Sequence, residues 1–257
     1  MTVQQALAIG VADARLLLSE ATGFSQASLL ASPEKELPAE AEARFRDFAE
    51  RRSKGEPVAY IVGHKEFYSL DLAVNPAVLI PRPETELLVE LALEKRPSTV
   101  VDLGTGTGAI ALAIKKRFPQ AKVTAVEASA AALAVAQRNA VKHGLEIEFV
   151  HGRWLQSLGN FDLIVSNPPY VAENDPHLAD LGFEPRSALV SGADGLDAIR
   201  EICRETPDHL RPGGWLLLEH GMGQDAAVRQ LLERAGLESV TTWPDLAGIP
   251  RVSGGKA

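Results

Sequence analysis

From residue 98 onward, short apolar runs alternate with amphipathic helical patterns, and this alternation restricts the fold more than any other feature. The runs TVVDLG (99–104), KVTAVE (122–127), IEFV (147–150), FDLIVS (161–166) and WLLLEHG (215–221) read as strands. Between them lie the helical stretches AIALAIKKRF, AAALAVAQRNAVKHG and a segment around Ala198 to His209, and DAAVRQLLERAG follows the last run. Ser129 is placed to cap the second helix, and Gly236 to stop the last. Pro212-Gly213-Gly214 marks a turn before the final strand. Strand–helix alternation of this length predicts an α/β fold with a doubly wound, mainly parallel sheet, in which ligands sit beyond the carboxyl ends of the strands.

The first 62 residues contain little strand signal. Leu7, Val11, Ala14, Leu17 and Leu18 share one face of a single amphipathic N-terminal helix, and a second helix follows Leu37-Pro38 with Phe45, Phe48 and Ala49 as its apolar stripe. Residues 63–82 change character. EFYSLDLAV alternates, Asn75-Pro76 marks a turn and AVLI is a second apolar run, which predicts a β-hairpin linking two domains. Pro81 and Pro83 stop it, and ETELLVELALEKR begins a helix. The expected organisation is a helical domain over 1–62, a hairpin linker over 63–82 and the sheet domain over 83–257.

Composition narrows the partners. A net charge of −8 argues against nucleic acid as the main ligand, because phosphate binding needs a basic surface. Arg44, Arg46, Arg51, Arg52 and Lys54 cluster, but interleaved acids make them a solvated helix face. One cysteine, Cys203, excludes an internal disulfide and suits a reducing cytoplasm. It reads as buried packing on its helix. No uncharged apolar run reaches membrane-spanning length, so no membrane partner is expected. The six histidines show no metal-ligand spacing, and no metal site is expected.

The first strand of the sheet ends in VVDLGTGTGAI. Gly104, Gly106 and Gly108, with Thr105 and Thr107 between them, allow a tight turn and close approach to a ligand. The loop fits a dinucleotide fingerprint as well as an S-adenosylmethionine site, and Glu127 ends the second strand where ribose hydroxyls would lie. Asp102 favours the second reading. A carboxylate repels a pyrophosphate but attracts the ammonium and sulfonium of S-adenosylmethionine. The competing reading is a cap on the loop that follows.

The fourth strand of the sheet ends in Asn167-Pro168-Pro169-Tyr170. Proline has no N–H but keeps its carbonyl, and Asn167 adds a side-chain oxygen. Two acceptors on a stiff segment suit one planar NH₂ group, with Tyr170 flat against it. Such a nitrogen is a poor nucleophile because its lone pair is conjugated. Out-of-plane acceptors turn that lone pair toward a methyl donor and strengthen as positive charge develops. An Asn-Pro turn is the ordinary alternative. Residues 172–197 then form a long connection at the same edge, read as a lid, with Glu184, Pro185 and Arg186 at the substrate entrance; His177 reads as a solvent-facing loop residue.

Four stretches carry a family resemblance: GHKEFYSLDLAVNPAVLIPRPETELLVE (63–90), VVDLGTGTGAIALA (100–113), FDLIVSNPPYV (161–171) and RPGGWLLLEHG (211–221). Together they resemble the release factor glutamine methyltransferases, the PrmC or HemK family, over nearly the whole chain. The NPPY motif is shared with adenine and guanine amino-methyltransferases, whereas IPRPETE is more specific. The resemblance implies a seven-stranded Rossmann-like methyltransferase sheet and an N-terminal domain that docks the substrate. It implies methyl transfer from S-adenosyl-L-methionine, leaving S-adenosyl-L-homocysteine, to the side-chain nitrogen of the glutamine in the Gly-Gly-Gln loop of peptide chain release factors. Asn167 and the Pro168 carbonyl would receive that amide, with Pro169 and Tyr170 shaping its slot. Gly104 to Gly108 would cradle the cofactor's amino-acid end, Glu127 would bind its ribose, and Trp154 would lie beside its adenine. On its own Trp154 reads equally well as a core residue. The family pattern has an acidic residue before this tryptophan; here it is Arg153. The other readings are a DNA or RNA amino-methyltransferase, a non-enzymatic cofactor-binding adapter and, least favoured, a nicotinamide oxidoreductase.

Overall fold

Neighbouring residues on each central strand face opposite sides of one large sheet and enter two separate cores. This is seen in a computed structural model that describes all 257 residues. The chain divides into two units, Met1–His64 and Lys65–Ala257.

The first unit holds α1 (Val3–Leu7), α2 (Ala14–Thr22), α3 (Gln26–Ala31), α4 (Ala39–Ser53) and α5 (Val58–Val62). Its core gathers Val3, Ala6, Leu17, Leu18, Leu29, Phe45, Ala49 and Ile61. The single N-terminal helix expected from the apolar spacing is two helices. Gly10 and Asp13 adopt left-handed backbone angles, φ 76° and 61°, which end one helix and start the next. The basic cluster is a paired, solvated face: Arg46 meets Glu42, Arg51 meets Glu56, Arg52 meets Asp13 and Lys54 meets Glu50.

Beginning at the last residue of the first unit, β1 (His64–Phe67) forms a two-stranded sheet with β2 (Leu70–Ala73). The hairpin is therefore shorter than expected. It turns at Tyr68-Ser69, whose φ of 49° and 59° match the primed turn that suits strand twist. Backbone amides of Tyr68 and Ser69 are held by the Glu86 and Glu66 carboxylates at 3.0 and 2.6 Å. The AVLI run is no strand. Asn75 makes a local turn, its Oδ1 accepting from the Ala77 amide at 2.9 Å. Beyond it the chain has no regular secondary structure, with Val78 and Ile80 buried.

The elements that follow are α6 (Thr85–Glu94), β3 (Thr99–Leu103), α7 (Ala109–Arg117), β4 (Lys122–Glu127), α8 (Ala130–His143), β5 (Glu148–His151) and β6 (Phe161–Ser166). Then come α9 (Asp197–Glu205), β7 (Leu210–Glu219), α10 (Asp225–Arg234), β8 (Glu238–Pro244) and β9 (Pro250–Lys256). The large sheet has seven strands in the order β5-β4-β3-β6-β7-β9-β8. β3 to β7 run parallel, while β9 pairs antiparallel with both β7 and β8. Val100, Leu163 and Leu217 enter one core with α6 and α7. Val101, Ile164 and Leu216 enter the other with α9 and α10. Burial on both faces explains why these strands read as continuous apolar runs. Ser129 caps α8, its side chain accepting from the Ala132 amide. Pro212-Gly213-Gly214 lies within β7, which begins at Leu210.

The two C-terminal strands carry little pattern. Gly254 of β9 shows why small residues are needed there. A Cβ at this position would stand 2.5 Å from Leu217 Cδ2 and 2.6 Å from the Leu216 carbonyl oxygen.

Candidate active site

After β3 the chain proceeds through β4 and β5 on one side, and after β6 through β7 on the other. The switch point therefore lies between β3 and β6, which pair through Leu103 and Ser166. Hence the glycine loop and the NPPY segment leave the sheet side by side. They open on a cavity of about 660 Å³. Gly104, Thr105, Gly106, Thr107, Glu127, Trp154, Asn167 and Pro169 all line it.

The loop is built from its own backbone. The Gly104 and Thr105 amides donate to the Val126 carbonyl at 2.9 and 3.0 Å, and Gly108 donates to Thr105 at 2.8 Å. Gly108 has φ 84°, and a Cβ there would meet Leu112 Cδ1 at 3.1 Å and the Ala136 Cβ at 3.4 Å. It sets how closely α7 packs on α8 and does not line the cavity. Glu127 ties the loop to the next strand. Its two carboxylate oxygens accept from the Gly106 and Ser129 amides, each at 2.9 Å.

Asp102 is fully buried and lies behind the loop, off the cavity wall. Its Oδ2 accepts from Thr105 Oγ1 at 2.6 Å and from the Ala111 amide at 3.2 Å. The capping reading is thus the one its hydrogen bonds match. Its Oδ1 has no partner, and burial pushes its pKa up to about 7.

Trp154 adopts φ 51°, and its ring edge would lie 3.6 Å from a Cβ on Gly104. Its indole N–H donates to Glu201 Oε2 at 2.6 Å. Arg153 binds the same oxygen through Nε and Nη2 at 3.0 and 2.7 Å. Burial raises the Glu201 pKa, but the hydrogen bonds from Trp154 and Arg153 outweigh it and leave the pKa below the ordinary value. The acidic group absent at residue 153 is therefore present beside Trp154, delivered by α9. Sequence spacing had no means of finding it, since 47 residues separate the pair.

Asn167 donates from Nδ2 to Thr85 Oγ1 at 3.2 Å. Pro168 is buried and does not reach the cavity. Tyr170 also departs from expectation, because it does not line the cavity. Its carbonyl accepts from Gln224 Nε2 at 3.0 Å, and its ring lies where a Cβ on Gly221 would touch it at 3.3 Å. Burial pushes its hydroxyl pKa up to about 12. It is a neutral prop behind the motif, and no flat stacking surface for a ligand.

Part of the cavity wall comes from the chain that failed to form a strand: Ala77, Val78, Leu79, Pro81 and Arg82. Glu184 fastens it, accepting from the Ile80 amide at 3.0 Å and pairing with the Arg82 guanidinium. Of the three residues expected at the entrance, Pro185 lines the cavity, Glu184 is this anchor, and the Arg186 side chain donates to the Glu173 carbonyl at 3.5 Å. His177 is exposed and pairs with Asp175. No group of acidic, histidine and cysteine side chains has metal-binding geometry, and no helix is long and apolar enough to cross a membrane.

A doubly wound sheet of this order, opening at its switch point on a glycine loop and an NPPY segment, defines a methyltransferase fold. Residues 83–181 match the family described as methyltransferase small domain, and residues 4–63 match the PrmC N-terminal domain. The chain is 52% identical over 253 residues to the release factor glutamine methyltransferase of Xylella fastidiosa (strain Temecula1), covering 95% of this chain and 92% of that one. It is 51% identical over 252 residues to the protein of the same name from Pseudomonas aeruginosa, with 95% and 91% covered. A methyltransferase structure from Pyrococcus furiosus shares the fold, with a TM-score of 0.58 at 20% identity over 84% of this chain and 96% of that one. The chain belongs to the release factor glutamine methyltransferase family.

Proposed function

We propose that the protein transfers a methyl group from S-adenosyl-L-methionine to the side-chain amide nitrogen, N5, of the glutamine in the Gly-Gly-Gln motif of peptide chain release factors. One observation carries this reading: Asn167, with its NH₂ end tied to Thr85, stands on the same cavity as the glycine loop. Its Oδ1 is left to accept from a substrate NH₂. Such a substrate places the work in the cytoplasm.

The residues present fit the cofactor. Gly104 leaves open the space beside the Trp154 ring, where a Cβ would stand 3.6 Å from the ring edge. Glu127 offers carboxylate lone pairs at the cavity wall for ribose hydroxyls, and Trp154 offers an indole for adenine. When bound, S-adenosylmethionine supplies an electrophilic methyl group on a sulfonium.

The chain's part is to make a weak nucleophile react. Rotation about a peptide amide costs roughly 18–20 kcal/mol, a measure of the conjugation that must be disturbed. Asn167 Oδ1 accepts from the substrate NH₂, and this contact strengthens as the nitrogen becomes cationic. Pro169 walls the slot and fixes the approach. The proton leaves after the methyl arrives, so no base needs to act first. The helical unit serves to dock the release factor.

The test is a parallel incubation of the protein and its Asn167→Ala variant with labelled S-adenosylmethionine and a release factor, DNA or RNA. Label on the release-factor glutamine, absent with the variant, is expected. Label on nucleic acid alone would select the amino-methyltransferase reading instead.

A further inference from the structure

The carboxylate that steadies Trp154 does so with a single oxygen. Trp154 Nε1, Arg153 Nε and Arg153 Nη2 all converge on Glu201 Oε2, at 2.6, 3.0 and 2.7 Å. Oε1 accepts from none of them. Three donors on one oxygen fix the plane of the carboxylate, and so fix where Oε1 stands. The helix that carries it is also held. Ser191 Oγ accepts from the Ala198 amide at 2.8 Å at the start of α9. Asp197, Ala198 and Glu201 of this helix line the cavity together with Arg153 and Trp154, as expected of residues that share one helical face.

An ionised carboxylate is an acceptor only. Glu201 is held below its ordinary pKa, so at neutral pH Oε1 offers lone pairs to whatever lies beside the indole. Purines differ at the edge such an acceptor would meet. Adenine carries an amino group at C6, a donor, where a 6-oxopurine carries an acceptor. Oε1 matches the first and opposes the second, lone pair against lone pair.

We propose that Glu201 is a specificity-determining residue for the cofactor: its Oε1 accepts from the exocyclic amine of adenine and selects a 6-aminopurine over a 6-oxopurine. This rests on the reading of Trp154 as the neighbour of adenine. It asks more of Glu201 than steadying the indole, because a residue that only held Trp154 would not tell one purine from another. Asp197 stands one turn earlier on the same face, but its Oδ1 is engaged by Arg200 Nη1 at 2.8 Å.

The experiment measures by calorimetry the binding of S-adenosylhomocysteine, and of its 6-oxo counterpart S-inosylhomocysteine, to wild type, Glu201→Gln and Asp197→Asn. Wild type should prefer the adenosyl ligand by about tenfold or more. In Glu201→Gln the donors from Trp154 and Arg153 hold the amide oxygen and turn its NH₂ to the place of Oε1. That donor suits a 6-oxo group, so the preference should fall by about tenfold or more. Asp197→Asn should keep the wild-type preference. Equal binding of the two ligands by wild type would overturn the proposal, whether or not the variants fold. So would a Glu201→Gln protein that loses affinity for both ligands by the same factor, the mark of a residue that only steadies Trp154. An Asp197→Asn protein that shifts the preference as far as Glu201→Gln would also overturn it, by tracing the selection to the charge of α9. Wild type that binds neither ligand would instead remove the cofactor reading itself, and the selection with it.

Discussion

The indole N–H of Trp154 donates to Glu201 Oε2 at 2.6 Å, and Arg153 grips the same oxygen. One carboxylate from α9 thus fixes the wall that faces Gly104. Glu201→Ala should free Trp154 and leave Arg153 without its partner. The expected result is about tenfold weaker S-adenosylmethionine binding by calorimetry, or ~1.4 kcal/mol. Trp154→Ala should weaken it further. Unchanged affinity in both variants would mean that adenine lies elsewhere.

Asp102 gives a pH prediction. Its carboxyl ordinarily titrates at 3.8 but is raised to about 7 by burial. Between these values the folded state holds a proton that the unfolded chain has lost. The stability contributed by this group is therefore complete below about 4 and is lost as pH rises through about 7. Urea unfolding of wild type and Asp102→Asn across pH 4–8 should show wild type losing ground steadily to the variant. A pH-independent difference would mean that Asp102 does not titrate in this range.

Glu184 anchors the cavity wall by accepting the Ile80 amide and pairing with Arg82. Glu184→Ala leaves that amide without its acceptor, a loss of about 1–3 kcal/mol. Hydrogen exchange at Ile80 should accelerate, and methylation should slow. Normal exchange at Ile80 would show that the wall stands without its anchor.

Gly254 has no room for a side chain beside Leu217 and the Leu216 carbonyl. Gly254→Ala should destabilise the fold by about 1–3 kcal/mol through forced displacement of β9 from β7. Thermal melting reads the loss, and an unchanged Tm would show that the strands can part without cost.

Cys203 is buried, and burial pushes its thiol up to about 12. It should resist a thiol reagent in the native protein at pH 8 and react fully in denaturant. Rapid labelling of folded protein would contradict its packing.

Much of the sheet unit was legible because its strands are buried on both faces and its helices on one, which writes the period into the residues. The same signal misjudged the N-terminus. Leu7 to Leu18 keep a helical spacing across a break made by the backbone at Gly10 and Asp13. It also misjudged AVLI, since alternation records which side chains are buried and does not report a pairing strand. β8 and β9 were illegible: Ser253-Gly254-Gly255 reads as a loop, and close packing is why it is small.

The residues alone determined a doubly wound sheet with a glycine loop after its first strand and NPPY after its fourth, because periodicity and turn chemistry are local. Only the tertiary structure decided which side chains reach the cavity. It turned Asp102 and Tyr170 away from the opening, and it brought Thr85 and Glu201 to the motifs from α6 and α9. The reason is physical: a hydrogen bond is specified by where two elements pack, and no spacing along the chain records that.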